Sequence, residues 1–384
     1  MEHFITRIHI EKLRHLENIK IEVSETSRRH LIITGKNGSG KTSLLEALSK
    51  CLTTADNFST HIDEIFEGEK SFGELTDNGV TISLNSAVAL HNLCRRGEFI
   101  MSYFPATRRT NIIMAKGVED VKLAASYKIS DNPVKQLLKY MVHLKTQQAY
   151  ARQENDSSVE KNIQSWFNRF EKALRALLED ESLTMTYDYK NYNFLIHQDG
   201  RNPFGFNELS DGYSSVIQIV TGLIMRMEQN WLLKGTLSEY NVEGIALIDE
   251  LETHLHIELQ RKILPLLVTF FPRVQFIVST HSPYVLTSIS EATIFDLEKK
   301  VFYEDMSLYS VSDVAEGYFD AEDYSGELMN KLIRYRNLVS LTNPSESERA
   351  ERAELRMTLK NMQGSLAERV KEEFEVLESQ RRNG

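Results

Sequence analysis

The sequence predicts an α/β fold: a mostly parallel sheet flanked by helices, with an inserted helical pair and a C-terminal helical region. Three observations predict it. The apolar run Leu31-Ile-Ile enters a glycine-rich loop that leads into a helix. From Gly212 onward, helical segments alternate with apolar strand-like ones, the order of a parallel sheet. Over residues 132–180 the spacing of apolar residues shifts to that of helices.

Taken in order, Ile5 to Ile10 and Ile19 to Val23 read as short amphipathic strands around a polar bend at Arg14-His15-Leu16-Glu17. After the glycine-rich loop, Ser43 to Cys51 continues as a helix. Residues 53–85 mix Gly, Asp, Asn and Glu with short apolar runs, which predicts loops with one or two strands. Phe99 to Phe104 is another strand. Leu137, Leu138, Met141 and Leu144 form one helical face; Ile163, Trp166, Phe167, Phe170, Leu174, Leu177 and Leu178 form a second. The polar break Glu154-Asn-Asp-Ser-Ser158 separates them, and its residues are good helix N-caps. Strand-like alternation returns over Leu183 to His197, with a turn at Gln198-Asp-Gly200. A helix from Gly212 to about Trp231, a strand Ile245 to Ile248, a helix Ile257 to Phe271 and a strand Gln275 to Ser279 follow. From Glu346 to Arg382 the chain is rich in Glu and Arg at helical spacing, with a stripe of Leu355, Leu359, Met362, Leu366 and Val370. These readings divide the chain into a domain over 1–305, holding the helical insertion 131–181, and a helical region over 306–384 for self- or partner association.

Composition narrows the function. With 384 residues, 41% of them hydrophobic, the chain can bury a sizeable core. A formal net charge of −10 argues against a protein that coats nucleic acid; Arg95-Arg96 and Arg108-Arg109 are candidates for a local basic groove, with ordinary solvated surface the favoured reading of either pair. Cys51 and Cys94 stand outside any C-x-x-C pattern, so neither a disulfide framework nor a zinc site is expected. No apolar stretch reaches membrane-spanning length and no basic-then-apolar leader opens the chain, so a cytoplasmic protein without a membrane partner is expected.

Four segments carry chemistry. Gly35-Lys-Asn-Gly-Ser-Gly-Lys-Thr42 fits G-x-x-x-x-G-K-[ST], a loop whose backbone N–H groups turn inward around phosphate oxygens at the start of a helix. Gly35, Lys36, Asn37, Gly38, Ser39, Gly40, Lys41, Thr42 and Ser43 are therefore the expected ATP-binding set. Lys41 reaches the β- and γ-phosphates, and the Thr42 hydroxyl ligates Mg²⁺. Gly244-Ile-Ala-Leu-Ile-Asp-Glu250 is an apolar run ending in two carboxylates: Asp249 to hold Mg²⁺ through water, Glu250 to orient and deprotonate the attacking water. His281, in Ser279-Thr-His-Ser-Pro283, stands at the end of another buried strand about thirty residues later, placed to hydrogen-bond the γ-phosphate or the water. Leu209-Ser-Asp-Gly-Tyr213 puts Ser210, Asp211 and Gly212 at a helix N-terminus, a second anion site.

In that order the four segments resemble the ATP-binding-cassette ATPases: Walker A, signature loop, Walker B with its glutamate, and switch histidine, over roughly residues 1 to 300. The resemblance implies an ABC-type P-loop fold and ATP held between two head-to-tail copies, with Ser210 and Gly212 of one capping the γ-phosphate held by Lys41 of the other. The opening ITRIHIEKLRHLENIKIEV is similar to the chromosome-maintenance and recombination branch, with Leu13 in place of the usual aromatic residue and Arg14 as a nucleotide contact. No Q-loop glutamine is evident; Tyr103-Phe-Pro-Ala-Thr-Arg-Arg109 takes its place.

Asp249-Glu-Leu-Glu-Thr-His-Leu-His256 and Ser279-Thr-His-Ser-Pro283 resemble the compact bacterial antiphage-defence ATPases of Septu, PARIS and retron systems. The chain lacks the long coiled coils of cohesion and zinc-hook repair ATPases, and residues 300–384 lack the acidic pattern of a Toprim nuclease. The resemblance implies an ATP-dependent homodimer or higher assembly that controls a separately encoded nuclease or toxin. The alternative is a DNA-repair ATPase that binds DNA directly; a transporter ATPase ranks third.

Overall fold

The structure is a computed structural model that describes residues 2–57, 73–85, 90–108, 112–119, 121, 127–234, 241–303, 305–314, 326–341, 344–360, 374 and 379. Its chain divides into two units, Met1–Val311 and Ser312–Gly384.

Alternation shapes the first strands. In β1 (Ile5–Leu13) and β2 (Leu16–Glu22), Ile8, Ile10, Leu16, Ile19 and Ile21 are buried while charged neighbours face out. The strands pair antiparallel from Arg7↔Glu22 to Leu13↔Leu16, and Arg14 turns the hairpin at φ 55°. β3 (His30–Thr34) is buried at every position, as a strand covered on both faces must be. α1 (Lys41–Asn57) follows the glycine-rich loop. β4 (Glu74–Asp77) and β5 (Val80–Leu84) fall within the segment expected to hold one or two strands, and β5 pairs with β1 to give a small antiparallel sheet of order β2-β1-β5-β4.

After α2 (Leu90–Arg95) comes β6 (Phe99–Phe104), with the bounds expected from sequence. α3 (Leu137–Gln153) and α4 (Ser157–Leu178) form the helical pair, and all eleven apolar residues assigned to their faces are buried. Asp156 caps α4 by accepting from the N–H groups of Ser158 and Val159 at 3.2 Å each. The segment expected to alternate from Leu183 to His197 is a hairpin, β7 (Thr184–Asp188) and β8 (Asn193–His197). Its turn is set by Asp188, whose carboxylate accepts from the Lys190 and Asn191 N–H groups; the flanking tyrosines continue the strand pattern and hide that turn in the sequence. The bend expected at 198–200 follows, with Gly200 at φ 74°.

α5 (Asp211–Lys234), β9 (Glu243–Ile248), α6 (Ile257–Phe270), β10 (Val274–Ser279), the short α7 (Pro283–Leu286), β11 (Ala292–Asp296) and β12 (Val301–Tyr303) complete the first unit. The larger sheet has the order β12-β11-β3-β10-β9-β6. Every neighbouring pair from β11 to β6 is parallel, and only the β12 edge runs antiparallel. The fold is thus α/β with a mostly parallel sheet.

A core lies where α1 meets both sheets. Leu44, Leu45 and Leu48 join Ile8, Ile10 and Ile19 of the small sheet with Leu31, Ile33, Leu247 and Ile277 of the large one. Burying each such side chain contributes about 1.5–3 kcal/mol before entropy is charged against it. One polar residue stitches the sheets at their seam: the buried Gln275 amide donates to the carbonyls of Ile5 (3.0 Å) and Arg29 (2.8 Å) and accepts from the Ile5 N–H (2.7 Å). A buried amide so satisfied fixes register that apolar contact alone leaves loose.

In the second unit, α8 (Gly326–Val339) and α9 (Glu346–Lys360) are joined by an Arg334–Glu351 pair in which both carboxylate oxygens are engaged. Ser345 and Glu348 form a capping box at the start of α9. Leu359 of the expected apolar stripe is buried; Met362, Leu366 and Val370 lie outside the described residues. Among the described residues no helix is long and apolar enough to cross a membrane.

Candidate nucleotide site

The loop between β3 and α1 turns through three glycines with positive φ, Gly35 at 132°, Gly38 at 86° and Gly40 at 100°. At φ 100° a side chain is strained, and a Cβ on Gly40 would lie 3.0 Å from Leu16, so the small sheet packs close against the loop. Lys36, Asn37 and Gly38 form its exposed tip, while Ser39, Lys41 and Ser43 are buried. Lys41, 6% exposed, donates from Nζ to the carbonyls of Gly35 (2.7 Å) and Lys36 (3.0 Å). Burial draws its pKa down, against the opposing pull of Glu250, Glu252, Asp249 and Asp296. At the β1–β2 hairpin, Arg14 is exposed at the turn, and its neighbour His15 touches the loop, its Nε2 3.1 Å from the Ser39 carbonyl oxygen.

The parallel sheet delivers the acidic pair to this loop. β9 and β10 run side by side and both end here, so Asp249 and Ser279 meet. The Thr42 hydroxyl donates to Asp249 Oδ2 at 2.9 Å, and the Ser279 hydroxyl donates to Asp249 Oδ1 at 2.6 Å. Ser279 Oγ also accepts from the Glu250 N–H at 2.8 Å. Glu250 stands at φ 45°, an uncommon conformation for a residue with a side chain, and Thr253 donates to its carboxylate at 3.2 Å.

His281 follows β10. Its N–H donates to Glu252 Oε1, and Thr280 donates to Oε2 of the same carboxylate at 2.8 Å. Burial first, and Lys41 second, hold the His281 pKa below the ordinary imidazole value against three nearby carboxylates. Its buried Nε2 has no protein partner among the described residues, and the same holds for Thr34 Oγ1 and Ser39 Oγ.

The structure therefore brings Lys41, Thr42, Asp249, Glu250 and His281 into one electrostatic neighbourhood. Ser210 and Asp211 are exposed at the start of α5, and Gly212 lies against the turn after β9: a Cβ there would stand 2.5 Å from the His254 carbonyl oxygen.

The residues fit ATP with Mg²⁺. In and beside the glycine-rich loop, Thr34 Oγ1 and Ser39 Oγ are buried without a hydrogen-bond partner among the described residues, as is His281 Nε2, and Lys41 is buried too; such polar atoms suit a triphosphate. Thr42 and Asp249 offer two oxygen ligands, the usual protein share of a Mg²⁺ shell completed by phosphate and water.

Two residues here went unassigned in the sequence. Ser279 clamps Asp249 and Glu250, and Glu252 holds the backbone of His281; both sit inside the motifs already singled out, where their acceptor and donor types were the available signal. Arg108 was expected at the surface, in the segment that stands in place of a Q-loop. It is 1% exposed and bonds backbone carbonyls beside the site, so it belongs to the interior and not to a basic surface groove. Arg109 lies outside the described residues.

A parallel sheet that carries a glycine-rich loop, a lysine, a threonine and two carboxylates to one end defines a P-loop ATPase domain. Residues 81–287 match the family described as "AAA domain, putative AbiEii toxin, Type IV TA system", and the chain belongs to it. Residues 4–92 match the AAA ATPase domain.

Among individual proteins, the chain is 25% identical over 393 residues to a Septu protein PtuA of Bacillus mycoides (strain KBAB4), spanning 95% of this chain and 51% of that one. It is 41% identical over 87 residues to the Retron Vc95 probable ATPase of Vibrio cholerae serotype O1 biovar El Tor, spanning 22% of this chain and 16% of that one. The chain thus spans about half the length, or less, of these relatives. A solved SMC head bound to the C-winged helix domain of ScpA aligns at 15% identity and a TM-score of 0.39, over 79% of this chain and 95% of that one.

Proposed function

We propose that this protein binds ATP and Mg²⁺ between two copies of itself, hydrolyses the ATP, and through that association controls a separately encoded nuclease or toxin in prokaryotic antiviral defence. One observation carries the hydrolytic part. The Asp249 carboxylate bridges the hydroxyls of Thr42 and Ser279, with Glu250 held on Ser279 by its N–H and the partnerless Nε2 of His281 close by.

In this reading Thr42 and Asp249 would hold Mg²⁺, which would supply charge neutralisation for the triphosphate. Lys41 leaves the carbonyls of Gly35 and Lys36 for the γ-phosphate. Glu250 accepts the proton of the attacking water, and His281 Nε2 bonds the γ-phosphate oxygens. Ser210, Asp211 and Gly212 of the second copy complete the anion site in trans, and Ser210 and Asp211 are exposed at the start of their helix. The resemblance of its motifs to antiphage-defence ATPases, and its similarity to PtuA and a retron ATPase, support the defence role and a cytoplasmic location. Residues 306–384 are the proposed surface for self- or partner association.

The test is steady-state hydrolysis by the purified protein, beside co-purification with the product of the neighbouring gene. Wild type is expected to turn over ATP, and Glu250→Gln to bind ATP with turnover lowered about a hundredfold or more. A co-purifying nuclease or toxin is the expected partner. Turnover that DNA stimulates in the absence of any partner would instead favour a DNA-repair ATPase.

A further inference from the structure

Arg108 occupies an unusual place for a fully charged side chain. It is 1% exposed, it follows β6 where no glutamine stands, and its guanidinium is spent on neutral oxygens from three separate parts of the chain. Nε donates to the Ser215 hydroxyl of α5 at 2.9 Å. Nη1 donates to the carbonyl of Pro105 at 2.9 Å and to that of Asp249. Nη2 donates to the carbonyl of Glu250 at 3.0 Å and lies 3.5 Å from that of Leu251. Ser215 is five residues beyond Ser210 on the helix that opens with the Ser210–Gly212 loop.

The carbonyls it grips belong to a strained stretch. Glu250 at φ 45° and His254 at φ 65° are both left-handed without being glycine, each a conformation that costs about 1 kcal/mol or more and persists only when neighbours hold it. Arg108 holds the first, and Gly212 presses on the carbonyl of the second. The start of α5 therefore meets the turn after β9 twice, once directly and once through Arg108.

We propose that Arg108 is a positioning residue: it ties the helix behind the Ser210–Gly212 loop to the backbone of Glu250, so that seating this loop on a second copy sets the Glu250 carboxylate for attack in its own chain. A small shift of α5 moves Ser215, and with it the guanidinium fork and the two carbonyls that fix the direction of the Glu250 side chain. Lysine cannot substitute, because one ammonium cannot span a hydroxyl and carbonyls on both sides of a planar fork. The proposal rests on reading Glu250 as the base and deepens it.

The test compares Arg108→Ala, Arg108→Lys and Ser215→Ala with wild type, measuring turnover, ATP affinity with a fluorescent analogue, and ATP-driven association in a Glu250→Gln background. Both Arg108 variants are expected to lose about a hundredfold in kcat, the scale of a catalytic group displaced by about 1 Å. Their ATP affinity should stay within about threefold of wild type, because uniform binding is untouched. Ser215→Ala should lose about tenfold in kcat and still associate with ATP. Methylguanidinium should restore part of the Arg108→Ala rate and none of the Ser215→Ala rate. Wild-type turnover in folded Arg108→Ala, or in Ser215→Ala should the arginine variants not fold, overturns the proposal; so does a parallel loss of affinity and turnover. Full turnover by Glu250→Gln overturns the reading of the base itself, a result separate from any Arg108 outcome.

Discussion

Lys41 is the residue on which the site's electrostatics turn. Its amine is buried; burial draws its pKa down, carboxylates in the turn after β9 and at the end of β11 pull it back up, and two loop carbonyls accept from it. A triphosphate would give it a stronger partner than any of these. Lys41→Ala is expected to lower ATP affinity by about a hundredfold or more, the effect of removing a buried partner of a charged ligand. Equilibrium binding of a fluorescent ATP analogue checks it, and unchanged affinity would remove Lys41 from the site. The phosphate loop, the acidic pair and His281 were all readable, because each is a run of neighbours in the chain whose spacing is itself the signal. Arg108 was not, because its partners Ser215 and Glu250 stand more than a hundred residues away and only the fold makes them adjacent.

At the scale of elements, the helical pair is fastened to α5 by a buried carboxyl. Trp166 of α4 donates its indole N–H to Glu228 at 2.6 Å, and Tyr140 of α3 donates its hydroxyl at 3.1 Å. Trp166 stacks on Phe170 and meets Tyr140 of α3 edge-on, while Phe167 stacks on Phe194 of β8, so aromatic contacts join α3 to α4 and α4 to the hairpin. Periodicity alone identified the buried faces correctly, yet it gave no hint of Glu228, an acid in an apolar stretch of helix. Burial pushes its pKa from 4.5 up to about 7, against the two hydrogen bonds and Arg169.

The sign follows from which state holds the proton more tightly. The folded chain does, so this group's contribution is fully present below about pH 4.5 and is lost as pH rises through about 7. The loss is on the order of 3 kcal/mol. Glu228→Gln still accepts the Trp166 N–H through its carbonyl, turns its NH2 to the Tyr140 hydroxyl, which can rotate to accept, and lacks the ionisation. Denaturant unfolding of wild type and variant from pH 5 to 8 should therefore show wild type falling relative to the variant; parallel curves would mean that Glu228 titrates as an ordinary carboxyl.

For the whole molecule, the parts of the site are shared unequally within one chain. Lys41, Thr42, Asp249, Glu250 and His281 form one group, while Ser210–Gly212 lean on the turn after β9. In the proposed head-to-tail pair a second copy would supply this loop to the first group, which would make ATP binding an event of assembly. Ser210→Arg, bulky and charged at the exposed loop, is expected to abolish ATP-driven association in a Glu250→Gln background while leaving nucleotide affinity of the single chain within about threefold. Light scattering with and without ATP measures the first and fluorescent-nucleotide titration the second; undiminished association would reduce the loop to an ordinary turn.

The place of β3 has a consequence for how the protein is made. The strand that launches the phosphate loop occupies residues 30–34, yet both of its neighbours, β10 and β11, end only at Ser279 and Asp296. On the ribosome this strand waits for roughly 240 more residues before either edge is paired. Pairings so distant in sequence form slowly and leave an apolar strand exposed in the interval. A nascent chain halted before β10 carries every letter of the glycine-rich motif and neither of the strands that flank it, so the loop gains its frame only once β10 and β11 have been made.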